Sequence, residues 1–298
     1  MNLKHLLTSL CICIAGNVFA QSRTTEIWMT DITMKDGKPV ASVPVRITDN
    51  DFYDNQPYFS PDGSELWYAS MPDTIQSDIF GYNLKKKEFR QITNTPESEY
   101  QPQPIPFDKS KMSVVRVDAD NGQRFYEMKL DGTELSTLMN NEDSVAYYCW
   151  MNDTTLGVYM LNGGGGVLEQ YDMIPQQAII LMQGGFGRCV ARIPGSDNLS
   201  YVQKGSDGKY TLMRFEMATE ERWPIAEMMG TVEDYCWAPD GKIYASEKSK
   251  LYFFDTKKEG AKWVEVADFT KTVGTFYRLT MNSKGDKIAM VSYKGTKP

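Results

Sequence analysis

Histidine is almost missing from this chain. Among 298 residues there is one, His5, and it sits in a leader-like stretch that is expected to be removed. Met1–Ala20, MNLKHLLTSLCICIAGNVFA, has a short basic start (Lys4, His5), an apolar run over Leu6–Ile14, and Val18-Phe19-Ala20 ahead of Gln21. That order of charge, apolar run and small-x-small site reads as a secretory signal peptide, too short to span a bilayer. Leu10 precedes Cys11 and Ile12 precedes Cys13, where a lipoprotein would carry a small residue, so no lipid anchor is expected. Cleavage near Ala20 leaves residues 21–298 without histidine. This excludes Ser-His-Asp and Cys-His catalysis and any His-ligated metal.

Cysteine is scarce too. Cys149, Cys189 and Cys236 remain after the leader, an odd number that allows one disulfide at most and no framework. Net basic charge is absent: the formal charge is −7, which argues against nucleic acid as a partner. No later stretch is apolar for long enough to cross a membrane, so no stable insertion is expected. There is no convincing amphipathic helix. What the chain has is apolar residues at 41% and aromatics at 12%, enough to build one sizeable core.

Those apolar residues recur in a repeat. Asn55–Ser70, NQPYFSPDGSELWYAS, returns as CWAPDGKIYAS near 236 and MNSKGDKIAMVS near 281. It returns in eroded form as IPFDKSKMSVVR, WMNDTTLGVYM and IPGSDNLSYVQ. Taking Asp62, Asp108, Asp153, Asp197, Asp240 and Gly285 as markers, the steps are 46, 45, 44, 43 and 45 residues. Each copy holds alternating apolar strands separated by Asp/Gly/Asn turns. The third strand is aromatic, as in DIFGYNL and KLYFFDT, and a short fourth strand closes the copy. Four antiparallel strands in about 45 residues describe a β-propeller blade. The last copy supplies two strands. The first residues after the leader resemble the missing pair, EIWMTDI standing for a third strand and VPVRITD for a fourth. The expected fold is therefore all-β, a single domain over 21–298, with six blades and the last one completed by strands from both termini.

Ser60-Pro61-Asp62-Gly63, with the following SELWYAS and DIFGYNLKKKEFRQITNTP, resembles the PD40, or WD40-like, repeat of TolB-type six-bladed propellers. Asn55–Pro96 matches that pattern well and Asp234–Ser246 in part. The resemblance implies partners in the cell envelope, and cleavage of the signal peptide near Ala20 implies a periplasmic or secreted protein.

Several motifs are more structural than chemical. The glycines of Asn162–Gly166 lack a following Gly-Lys-Ser/Thr, so they read as a hairpin loop and not a phosphate cradle. Asp118–Gly122, DADNG, reads as a hairpin turn and not a calcium loop. Cys149-Trp150 and Cys236-Trp237 occupy equivalent positions and read as packing. Trp28, Trp67, Trp223 and Trp263 could stack on sugars but are better read as core between blades. Acidic residues Asp51, Asp54, Glu97, Glu99, Glu233 and Asp234 gather ahead of first strands, at the expected channel mouth. Aligning the copies puts Gln56, Gln101, Tyr147, Val190, Asp234 and Arg278 in one slot facing the axis. This ring is polar and aromatic, with no nucleophile matched to a base. With Asp54 and Glu99 it forms the candidate binding surface for a protein or peptide, with no catalytic residue, metal or cofactor expected. The alternative is a glycan binder or a polysaccharide-active enzyme that uses paired carboxylates.

Overall fold

The structure is a computed structural model that describes residues 24–73, 75–139, 144–161 and 165–294. The leader and residues 162–164 of the glycine-rich loop lie outside the described residues. Among the latter there are only strands, turns and bends. They begin with β1 (Thr25–Lys35), β2 (Lys38–Ala41), β3 (Val45–Arg46), β4 (Tyr53–Phe59), β5 (Glu65–Met71), β6 (Asp78–Asn83) and β7 (Glu88–Gln91). Next come β8 (Ser98–Ile105), β9 (Asp108–Val117), β10 (Gln123–Lys129) and β11 (Ser136–Thr137). They are followed by β12 (Val145–Trp150), β13 (Thr155–Met160), β14 (Val167–Asp172) and β15 (Gln177–Gln183). The chain continues through β16 (Phe186–Arg192), β17 (Leu199–Lys204), β18 (Tyr210–Phe215) and β19 (Arg222–Glu227). It ends with β20 (Tyr235–Trp237), β21 (Lys242–Glu247), β22 (Lys250–Asp255), β23 (Val264–Asp268), β24 (Phe276–Met281) and β25 (Lys287–Tyr293).

Hydrogen bonding gathers these strands into five sheets, not the six separate ones expected. Four are four-stranded meanders: β8–β11, β12–β15, β16–β19 and β20–β23. The fifth runs β24-β25-β1-β4-β5-β6-β7, with β2 and β3 also on β1, nine strands in all. Its two halves are joined by one parallel bridge, Thr25↔Tyr53. The Thr25 hydroxyl reinforces the join, donating to the Asp54 carbonyl (2.7 Å) and accepting from the Asp54 amide (3.1 Å). The halves also pack on each other through faces: Ile27, Ile47, Ala289 and Val291 meet Leu66 and Tyr68 in one buried cluster.

The two ends of the chain meet in this sheet. β1 pairs antiparallel with β25 from Thr25↔Tyr293 to Asp31↔Lys287, and Trp28 Nε1 donates to Ser292 Oγ at 3.0 Å. The segment VPVRITD contributes only Val45 and Arg46 beyond β1.

Burial explains why alternation is weak in the second strand of each copy. Leu66, Trp67, Tyr68 and Ala69 of β5 are all buried, as are Ile288–Ser292 of β25. Sheets stacked face to face cover such strands on both sides, so both faces become apolar. The outermost strands β7, β15, β19 and β23 are mostly exposed.

The Ser60–Gly63 turn shows how the repeat is punctuated. Gly63 has φ +70°, a conformation that costs a residue with a Cβ. Asp62 Oδ1 accepts from Ser60 Oγ (2.6 Å), Ser64 N (3.0 Å) and Ser64 Oγ (2.8 Å). These bonds hold the carboxyl below its ordinary range.

Candidate functional site

First strands β4, β8, β12, β16, β20 and β24 line one cavity of about 480 Å³. Most of them bend at a bulge. The pairing register slips between Asn55 and Tyr58, Tyr100 and Gln103, Val145 and Tyr147, Phe186 and Val190, and Tyr277 and Thr280. At three bulges a non-glycine residue takes a left-handed backbone: Gln56 (φ +54°), Gln101 (+52°) and Arg278 (+49°). Bulges of this kind re-aim a side chain at the cost of backbone strain. Here they bring Gln56, Gln101 and Arg278 to the cavity wall.

All six residues of the sequence-aligned ring line the cavity. Gln56 Oε1 accepts from Gln101 N at 3.0 Å, and Gln101 Nε2 donates to the Tyr148 carbonyl at 3.1 Å, a chain of bonds from strand to strand. Arg278 Nη2 donates to the Tyr147 hydroxyl at 3.0 Å, and its guanidinium carbon lies 5.2 Å from the centre of that ring. Two first strands separate β24 from β12 in either direction around the lining, so this contact bridges the cavity. In β16 the bulge brings Arg188 into the wall beside Val190. Arg188 Nη2 pairs with Asp234 at 2.9 Å and the guanidinium lies 5.8 Å from the Tyr277 ring. Sequence alignment misses Arg188 because the repeat spacing carries no mark of the extra bulge residue.

The acidic residues do not converge. Asp54 and Glu99 lie outside the lining and are fully buried behind it. Asp54 Oδ1 accepts from Ser70 Oγ (2.6 Å) while Oδ2 has no partner; burial pushes this carboxyl up. Glu99 Oε1 accepts from Thr95 Oγ1 (2.5 Å), Oε2 has no partner, and the Arg116 Nε is 4.0 Å away. Burial raises Glu99 to about 7. Glu97 pairs with Arg116, Glu233 with Lys204 (2.6 Å) and Asp51 with Lys294 (2.6 Å). Asp234 is the one carboxylate lining the cavity among the described residues. No group of three His, Cys, Asp or Glu among them could hold a metal ion.

Both Cys-Trp pairs line the wall, and the reason is packing. Ser113 Oγ accepts from Trp150 Nε1 (3.0 Å) and is 3.0 Å from the Tyr148 hydroxyl. Two sheets on, Ser200 Oγ accepts from Trp237 Nε1 (2.9 Å) and Tyr235 OH (2.8 Å). Cys149, Cys189 and Cys236 are all free, and burial pushes the first two thiols up to about 12. Asp118–Gly122 is the β9–β10 hairpin, with Arg124 on Asp118 and Asp120, both at 2.8 Å. Trp223 departs from the core reading: it lies on outer strand β19 and is 54% exposed. No sheet stacks over that outer edge to cover it.

No helix among the described residues is long and apolar enough to cross a membrane. No family model and no curated protein matches the chain. Solved structures do resemble it. A putative TolB from Agrobacterium tumefaciens superposes with a TM-score of 0.69 at 13% identity, covering 91% of this chain and 99% of that one. TolB from Acinetobacter baumannii gives 0.59 at 12%, covering 89% of this chain, which spans only 63% of that protein's length. An oligogalacturonate lyase from Vibrio parahaemolyticus gives 0.56 at 13%, covering 86% and 81%. At such identities the likeness establishes the fold: the chain is an all-β propeller of the kind found in TolB.

Proposed function

We propose that this protein is an exported, non-enzymatic recognition scaffold that binds a protein or peptide segment at its central cavity. The proposal counts six blades. The nine-stranded sheet is two of them, β24-β25-β1 with β2 and β3, and β4–β7, because a single bridge joins them and their faces pack together. A signal peptide at residues 1–20 would place the chain in the periplasm or outside the cell, where TolB-like propellers imply envelope partners.

The observation that carries the reading is the composition of the wall. Gln56, Gln101, Tyr147, Arg278 and the Arg188–Asp234 pair offer hydrogen bonds, charge and an aromatic face amid prolines and apolar side chains. Such a mix suits a recognition pocket. A carboxylate-pair glycosidase needs two carboxyls facing one substrate, about 5–9 Å apart, and among the described residues the wall has only Asp234. The fold neighbours include both TolB and a lyase, so the site and not the fold argues the function.

The test is affinity capture of envelope proteins by the chain lacking residues 1–20. Capture is expected to fail with Arg278→Ala and Gln101→Ala, and to survive Trp223→Ala on the outer edge. If those cavity variants capture as the parent does, or if the parent binds oligosaccharides that Asp234→Ala and Arg278→Ala abolish, the scaffold reading is wrong.

A further inference from the structure

The charged residues lining the cavity are three arginines and one aspartate. Arg188 is matched by Asp234, and Arg192 by Asp197 at 2.9 Å. Arg278 has no carboxylate partner among the described residues. Its Nη2 has only the Tyr147 hydroxyl, and its Nε is buried without any hydrogen-bond partner. A guanidinium carries five donors in a planar fork. Holding one in a partly dry site against a neutral hydroxyl leaves most of its charge uncompensated. In the same wall Gln101 Oε1 is buried and unpartnered, although its Nε2 is fixed by the Tyr148 carbonyl. So the wall holds a guanidinium without an anionic partner and, beneath its surface, an acceptor without a donor, each on a residue with a left-handed backbone.

Resting on the cavity-binding reading above, we propose that Arg278 seats a carboxylate of an extended peptide. The carboxylate is either the C-terminal group or an Asp or Glu side chain. A guanidinium fork matches a carboxylate in two parallel hydrogen bonds, and Tyr147 holds the fork in place from the opposite wall. The rest of the wall fits a peptide better than an acidic sugar. Pro57, Pro102, Val190 and Leu279 present apolar surface, whereas each sugar ring would need paired donors and acceptors for its hydroxyls.

An array of extended hexapeptides tests this, each made in matched forms: free acid, C-terminal amide, and Asp/Glu replaced by Asn/Gln. It is probed with the chain lacking residues 1–20 and with Arg278→Gln, Arg278→Lys and Trp223→Ala. Binding peptides are expected to lose about tenfold or more in affinity when their carboxylate is neutralised, the usual worth of a charge-assisted bond. The replacement that matters tells the terminal group from a side chain. Arg278→Gln should erase the preference, Arg278→Lys should keep part of it, and Trp223→Ala all of it. If peptides bind the cavity equally well in every form, or Arg278→Gln leaves the preference intact, the carboxylate seat is refuted while cavity binding stands. If no peptide binds, both proposals fall together. The matched peptides make the comparison on the parent chain, so it holds even if Arg278→Gln misfolds.

Discussion

Glu99 makes the buried chemistry measurable through the substitution Glu99→Gln. The side chain is fully buried, one oxygen lacks a partner, and the nearest cation is 4.0 Å off. Burial lifts its pKa from 4.5 to about 7. Between those values the folded chain holds a proton that the unfolded chain has released. Stability from this group is therefore greatest below pH 4.5 and falls as pH rises to about 7. The gap is worth on the order of 3 kcal/mol. Glutamine keeps the shape, can still bond Thr95, and has no charge to bury. The expected result is a parent whose unfolding free energy, from urea titration, falls between pH 5 and pH 8, beside a variant whose unfolding free energy falls less by roughly that amount. Asp54 and Asp78 are also raised by burial and act in the same direction, but they are common to both proteins and cancel in the difference. Identical pH slopes for parent and variant would refute the argument and mean that Arg116 compensates Glu99 fully.

Three further substitutions and one labelling experiment probe the frame. Ser113→Ala removes the shared acceptor of Trp150 Nε1 at a fully buried position; a loss of about 1–3 kcal/mol and a shifted tryptophan emission are expected in denaturant titration. Ile27→Ala, in the buried cluster linking β1 and β25 to β5, should cost about 2–5 kcal/mol, whereas Val43→Ala, 76% exposed, should cost almost nothing by thermal melting. Native protein at pH 8 should leave Cys149 and Cys236 unlabelled by a thiol reagent, since both are buried and their thiols are raised; guanidinium should release all the thiols, with no disulfide found by mass.

Much of this molecule could be read from its repeat. The Ser60–Gly63 turn, the meandering strands and the pairing of the two chain ends follow from local signals. Asp, Gly and Pro punctuate turns through their own backbone preferences, and sheet stacking makes the second strands apolar on both faces. The ring of Gln56, Gln101, Tyr147, Asp234 and Arg278 was legible because repeats put equivalent residues in equivalent places. Asp54 and Glu99 were not. They stand two residues before Gln56 and Gln101, and only the bulge that follows them decides which residue reaches the cavity. The bulge is written in backbone angles and not in one residue type, as Arg278 takes the same left-handed backbone as the two glutamines Gln56 and Gln101. Arg188 was missed for the same reason. The single bridge joining β1 to β4 was also hidden, since it depends on how closely two stacked sheets approach at Thr25.

The balance of charge narrows what Arg278 can receive. The chain as a whole carries −7, while the cavity wall holds three arginines to one aspartate. At about 0.1 M salt a charge is felt over roughly 10 Å. A polyanion such as a nucleic acid or a long polyuronate would keep most of its charge against the acidic exterior and be repelled there. A chain that is neutral along its length with one carboxylate at its tip meets no such penalty. It adds no charge against the exterior and delivers its single charge to Arg278, the one cavity guanidinium without a carboxylate partner among the described residues. Selectivity for lone carboxylates over polyanions therefore follows from the opposition of surface and cavity, and raising salt should narrow it by relieving the polyanion's repulsion.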